Sequence, residues 1–336
     1  MSVTKVEKMV EEAPHARKKI SDLNSKALDR IITFAAVVVL FILFSFTAPN
    51  FFTIRSVLSL ALQTSAVTMM GIGVTFAIIT GGIDLSIGSV VALSGTVAVM
   101  AAIAGVPVWI SMLLGLLIGV VCGFLNGLMV TRLKLPPFIA TLGMMMVARG
   151  VALTITNANA WPAPEAFGAL GNNTIFGTGQ DFPGIPYPVL IMIGVALLFH
   201  FILSQTRIGR YTYAVGSNEE AARLAGIKVG QVKIISYVIC GTLAALVGII
   251  LASRMVTSQP NSAIGYEMNA IAAAVIGGTS FMGGMGTVGG TVIGSFIIGI
   301  LTVGLTMAGA NYFMQQIVIG LVVIGAVTVD QLRSRK

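Results

Sequence analysis

The chain is a succession of long apolar runs parted by short polar or glycine-rich breaks. A helix needs about 20 predominantly apolar residues to cross a hydrocarbon core, and stretches such as Val57 to Thr80 and Val108 to Val130 meet that length. The pattern predicts ten helical segments: Ile31 to Phe46, Val57 to Thr80, Ile87 to Ala104, Val108 to Val130, Phe138 to Thr156, Val189 to Leu203, Ile234 to Ala252, Ala270 to Ile276 running into a glycine-rich break, Thr291 to Met307, and Gln315 to Val329. Several are short for a full crossing, which predicts tilted or interrupted helices buried within protein. The fold class that follows is all-α and integral to the membrane, a polytopic bundle of about ten transmembrane helices.

Composition strengthens this reading. Of 336 residues, 56% are hydrophobic and 10% charged, against roughly 25% charged in a soluble domain, and a soluble fold could not hide that much apolar surface. The first 30 residues mix Lys and Arg with Asp and Glu, unlike the short basic start of a cleaved signal, and read as a retained cytosolic arm. The net charge of +8 lies in loops rather than on one folded face, so nucleic acid is not an expected partner. Cys122 and Cys240 both fall inside apolar runs and read as packing residues. His15 and His200 have no second ligand at a metal-like spacing, so no metal site is expected.

Short basic loops stay cytoplasmic. With the N-terminus inside, the tail to Arg30 carries 7 basic residues, the turn with Arg132 and Lys134 carries 2, the segment Arg207 to Lys233 carries 5, and the C-terminus carries 3, placing 17 of 20 on one side. Both termini are therefore expected in the cytoplasm, and the long loop Asn157 to Pro188, which has no Lys or Arg, outside. The domain plan is a cytoplasmic tail over 1–30, a single transmembrane domain over 31–330 with a cytoplasmic loop at 204–233, and a cytoplasmic tail over 331–336.

Gly115, Gly119, Gly123 and Gly127 recur every four residues and line one face of the fourth segment, where they predict close helix packing. A short echo joins AIITGGIDLS at 77–86 to AAVIGGTSFM at 273–282. Transporters carry paired interrupted helices in corresponding halves, with the solute route between them.

Asp84 is the only acidic residue between Asp29 and Glu165. Ionisable groups at membrane depth face a cavity or a partner, and two readings stand: Asp84 caps the third helix by accepting from an amide two or three residues on, or it meets the solute. Arg149 has the same alternatives, an ion pair or carbonyl contact against a transport role. Asp84, Ser86, Asn126, Arg149, Glu267 and Asn269 are the candidates for the pathway or its gate.

The basic loop carries the sharpest local signal. Ser217-Asn-Glu-Glu220 fits a capping box, with the Ser side chain and the Glu side chain each taking a free amide, and Gly226 fits the position that stops a helix. The helix between them is about two turns long, too short to hold alone in water, so it needs a surface, its own bundle or a partner. No phosphate-binding loop exists, since no Lys follows a Gly. A His-Glu-x-x-His site and a Gly-x-Ser-x-Gly elbow are also missing, so the chain is not expected to be an enzyme.

Four blocks in order resemble the permease subunits of ribose-type sugar importers of the ATP-binding cassette class: ITGGIDLSIGS at 79–89, PFIATLG at 137–143, GRYTYAVGSNEEAARLAGI at 209–227 and GYEMNAIAAAVIGGTS at 265–280. The resemblance spans nearly the whole chain after the tail. It implies a monosaccharide importer in the bacterial inner membrane, with ribose the first choice of sugar. The implied partners are a cytoplasmic ATPase, a periplasmic or lipid-anchored sugar-binding protein and a second permease copy, as a homodimer. It implies no cofactor in this chain, with ATP and Mg used by the ATPase. It also marks Ser217, Glu219, Glu220, Ala221, Ala222 and Gly226 as the segment that couples to the ATPase. In many relatives the position of Asn269 is acidic; here it is neutral. A secondary sugar carrier driven by an ion gradient, and a passive channel, are the competing readings.

Overall fold

The computed structural model describes residues 33–178 and 182–334. The proposed N-terminal tail and residues 335 and 336 lie outside them. Each of the ten apolar segments falls on a helix: α1 (Thr33–Thr47), α2 (Ile54–Ile79), α3 (Ile87–Ile103), α4 (Val108–Thr131), α5 (Pro137–Thr156), α7 (Tyr187–Gln205), α10 (Val229–Met255), α11 (Tyr266–Ile276), α12 (Val288–Met307) and α13 (Tyr312–Ser334). Among the described residues three shorter α-helices, α6 (Ala169–Asn172), α8 (Arg207–Ser217) and α9 (Glu219–Leu224), and one 3-10 turn (Glu165–Gly168) join them. Among the described residues, α2, α4, α5, α7, α10 and α12 are long and apolar enough to cross a membrane.

Helix boundaries follow local chemistry. Thr53 caps α2 by accepting from the Ser56 amide, and Thr287 caps α12 by accepting from the Gly290 amide. Pro sits in the first turn of α5 and α7, where its missing N–H leaves no bond unmade. Helix α10 starts at Val229, five residues before its apolar run, because a helix propagates through polar residues once the adjoining turns are packed.

α2 is buried over most of its length and forms the centre, whereas α4, α5 and α7 keep exposed apolar flanks such as Leu117, Val147 and Leu197. α2 packs on α10, α12, α11 and α7, and α10 packs in turn on α4 and α3. The glycine face of α4 is what lets α10 approach. A Cβ at Gly123 would lie 2.9 Å from Val238 Cα, one at Gly127 2.8 Å from Ile234 Cα, and one at Gly119 would overlap the Gly241 carbonyl. Gly115 lies where α3 and α10 meet: its Cβ would stand 2.7 Å from the Ser94 carbonyl oxygen and 3.2 Å from the Ile249 side chain.

The loop after α5 carries short local elements within 157–178 and 182–186. Two-residue strands β1 (Trp161–Pro162) and β4 (Thr257–Ser258) pair antiparallel, as do β2 (Thr174–Ile175) and β3 (Ile185–Pro186). Ser253 on α10 donates to the Phe167 carbonyl at 2.5 Å and accepts from the Gly171 amide at 2.8 Å, fixing the loop to the bundle.

The echo between the two glycine breaks is a shared helix ending. At α2, the Gly82 and Gly81 amides donate to the carbonyls of Ala77 and Ile78; at α11, those of Thr279 and Gly278 donate to Ala274 and Val275. Gly81 (φ 77°) and Gly278 (φ 88°) occupy the left-handed position in each, the arrangement that closes a helix with glycine. The geometric match is one residue out of step with the sequence match, which pairs Gly81 with Gly277.

Candidate functional site

The break after α2 leads the chain through half-buried Ile83 and the buried residues 84–86 into α3. Non-helical backbone at this depth survives only where protein satisfies it, and here side chains do so. Asp84 Oδ1 accepts from the Ser86 amide at 2.9 Å, the Ser86 hydroxyl at 2.6 Å and Asn126 Nδ2 at 3.4 Å, and Asn126 Nδ2 also donates to Ser86 Oγ at 2.9 Å. The Ile83 carbonyl accepts from the hydroxyls of Tyr237 and Thr141, each at 3.4 Å. Asp84 thus bonds the amide two residues on at the entrance to α3. Asp84, Ser86 and Asn126 are at most 1% exposed. Asp84 Oδ2 and Asn126 Oδ1 are buried without a donor among the described residues, an arrangement that costs about 1–3 kcal/mol per group. The centre is rich in acceptors.

The six pathway candidates fall into two groups. Arg149 on α5 donates to the carbonyls of Pro260 (2.6 Å) and Ser262 (2.9 Å), the carbonyl contact that was one of its two readings. Glu267, in the first turn of α11, accepts from the Gly265 amide at 3.2 Å. The groups adjoin through Gly88, where an added Cβ would meet the Glu267 carboxylate and, at 2.7 Å, the Ala263 carbonyl oxygen. Asn269 is half-buried, two residues further along α11. Among the described residues no three of His, Cys, Asp and Glu cluster as metal ligands, and Cys122 and Cys240 are buried free thiols.

At the basic end of the bundle, segment 204–233 contains two helices where one had been expected. Thr206 caps α8 by accepting from the Gly209 amide at 3.5 Å. Asn218, extended at φ −161°, turns the chain into α9. The capping box is corrected here. Ser217 is the last residue of α8, and the cap is Asn218, whose Oδ1 accepts from the Ala221 amide at 2.9 Å. Because α8 runs directly into α9, only one residue remains to leave helical geometry, and the Ser at 217 is held within the preceding turn. The reciprocal role given to Glu220 is also not made. The neighbouring Glu219 instead accepts from Lys233 at 2.6 Å and Arg223 at 3.0 Å. Its hydrogen bond to Lys233, more than any other contact, holds the Glu219 carboxyl below its usual range.

Gly226 ends α9 at φ 81°, with the Ile227 amide on the Ala222 carbonyl and the Gly226 amide on Arg223, a glycine-closed terminus of the expected kind. Ala222 anchors the short helix in a small core with Val215 of α8 and Val229 and Val232 of α10. Ala221 and Glu220 face outward, and Leu224, which carries no signal in the sequence, is 86% exposed. Beside α9 lies a cavity of about 780 Å³ whose lining includes Arg132, Lys134, Glu219, Arg223, Lys228 and Lys233. Its five cations against one carboxylate make it an acceptor of negative charge.

A closely packed helical bundle with a buried polar break and a short exposed elbow at its basic end is the build of a polytopic α-helical membrane transport protein. The chain belongs to the family described as branched-chain amino acid transport system / permease component, whose model matches residues 56–327. It is 44% identical to the ribose import permease protein RbsC of Escherichia coli strain K12 over 303 residues, covering 89% of this chain and 92% of the relative. The corresponding protein of Bacillus subtilis strain 168 is 41% identical over 91% of this chain and 94% of its own. The D-allose transport system permease protein AlsC of Escherichia coli K12 is 35% identical over 91% and 93%. The protein is a multi-pass permease component.

Proposed function

We propose that this chain is the permease subunit of an ATP-binding cassette importer of the inner membrane and carries a monosaccharide, ribose before allose or arabinose. The observation that carries the reading is its 44% identity to a ribose import permease across 92% of that protein. The family description speaks of branched-chain amino acids, but the sugar permeases match across nearly their full length. In this reading ten helices span or enter the membrane, both termini and the elbow α8–α9 are cytosolic, and the loop Asn157 to Pro188 is external, as the Lys and Arg distribution supports. A cytoplasmic ATPase using ATP and Mg docks on α9, with Leu224 and Glu220 exposed to it and the basic cavity beside it suited to an acidic surface. A sugar-binding protein delivers the solute on the other side, and a second copy of the chain completes the pathway.

Within this assembly the Asp84–Ser86–Asn126 centre ties the broken segment to α4, and Arg149 fixes the 260–262 turn to α5. The test is reconstitution of the chain with its cognate ATPase and binding protein in liposomes. ATP-dependent uptake of labelled ribose exceeding that of allose and arabinose is expected. Uptake that follows an imposed proton or sodium gradient and ignores ATP would refute the proposal.

A further inference from the structure

The elbow that carries α9 rests on both glycine breaks at once. Gly216, in the last turn of α8, is so close to the end of α2 that an added Cβ would overlap the Ile79 carbonyl and stand 2.6 Å from the Gly284 amide nitrogen. The Ile79 carbonyl itself accepts from the Gly284 amide at 2.9 Å. One turn earlier on α8, the Tyr213 hydroxyl donates to the Gly286 carbonyl at 2.6 Å. A Cβ at Gly283 would come within 2.9 Å of the Gly216 carbonyl oxygen and 3.2 Å of that of Ile79. Three backbones therefore meet with no side chain between them to absorb a displacement, and close-packed contacts of this kind pass strain on. Only Ser217 and Asn218 separate the junction from α9.

Gly81 and Gly278 end α2 and α11 in the left-handed conformation, and Gly283, Gly284 and Gly286 also have positive φ, so the connections have the freedom that hinges use. The break after α2 runs directly into the segment holding Asp84 and Ser86. We propose that Gly216 and Tyr213 are positioning residues that join α9 to the end of α2 and to the glycine-rich loop 283–286 between α11 and α12, so that displacement of α9 shifts the end of α2 and this loop together and opens or closes the pathway at Asp84. This inference rests on the reading of α9 as the ATPase contact. Neither residue touches the ATPase or the sugar in it.

The experiment compares Gly216→Ala and Tyr213→Phe with the unaltered complex in liposomes, reading ATPase affinity, ATP hydrolysis and sugar moved per ATP. Tyr213→Phe removes one hydroxyl and adds no bulk, so it remains informative if Gly216→Ala folds poorly. ATPase affinity within twofold of the unaltered complex is expected, with sugar moved per ATP falling roughly 5- to 100-fold, the range of ordinary coupling between sites. A merely structural role would lower yield, docking and transport together and leave the ratio of sugar to ATP unchanged. That ratio unchanged in Tyr213→Phe overturns the inference while leaving the importer reading intact. If the unaltered chain binds no ATPase, both fall.

Discussion

The crossing of α4 and α10 gives the sharpest stability test. At Gly123 an added Cβ would stand 2.9 Å from both Val238 Cα and the Tyr237 carbonyl carbon, and nearer still to the Tyr237 carbonyl oxygen. Ordinary contact begins at 3.4 Å, so Gly123→Ala requires the two backbones to part by at least about 0.5 Å along a face where Gly119 and Gly127 are also closer than ordinary contact. Backbone cannot rotate out of the way as a side chain end can, and overpacking of this kind costs about 1–3 kcal/mol. Ala also favours the helix over Gly by about 1 kcal/mol, which would mask part of the loss. Gly143 on α5 has nothing within 4 Å of its would-be Cβ, so Gly143→Ala carries the propensity gain without the clash. The difference between the two variants isolates the packing term. In detergent, with thermal unfolding followed by size-exclusion fluorescence, Gly123→Ala should melt roughly 5 °C below Gly143→Ala. Equal melting of the two would show that α4 and α10 do not meet on this face, and the reasoning would fail.

Three further outcomes are expected. Asn218→Ala should raise amide exchange across 219–226, since loss of such a cap costs about 1 kcal/mol, whereas Ser217→Ala should leave exchange unchanged; the reverse result would restore the capping box. Glu219 has a lowered pKa, so its contribution is full above the ordinary carboxylate value of 4.5 and is lost as pH falls through the lower folded value. Protection of the α9 amides relative to their intrinsic exchange rates should therefore fall only under acid conditions, Glu219→Gln should show the acid protection factor at neutral pH, and because the pair is partly exposed to solvent the effect should stay below about 1 kcal/mol. Asn126→Asp should lower folded yield more than Asn126→Ala, because a second buried carboxylate beside Asp84 adds repulsion to the lost donor; equal yields would show that Asn126 does not bear on Asp84.

Much of the elbow was readable from local sequence, and much was not. Gly226 announced the end of α9 and the short spacing announced its need for a docking surface, because helix termini obey chemistry confined to a few residues. The cap moved from Ser217 to Asn218 because α8 was not foreseen: RIGRYTYAVGS is too polar to register as an apolar run, yet it is amphipathic and buries Gly209, Thr212 and Val215. Lys233 as the partner of Glu219 and the exposure of Leu224 had no sequence signal at all. One depends on the first turns of α10 folding back beside α9, the other on which face Ala222 turns inward.

Hydropathy by itself determined the helical membrane class and the position of each apolar helix, since an apolar run of that length has few stable states other than a helix that satisfies its own backbone. It also determined that α4 would offer a glycine face, because a four-residue period maps onto one side of a helix. Only the tertiary structure decided that Gly119, Gly123 and Gly127 meet α10 while Gly115 sits between α3 and α10, that Asn126 completes the Asp84 centre across 42 residues of chain, and that Gly216 brings the elbow onto both glycine breaks. Those pairings depend on which helices become neighbours and in what register. That is set by the summed fit of many distant surfaces, and no single stretch of the chain contains it.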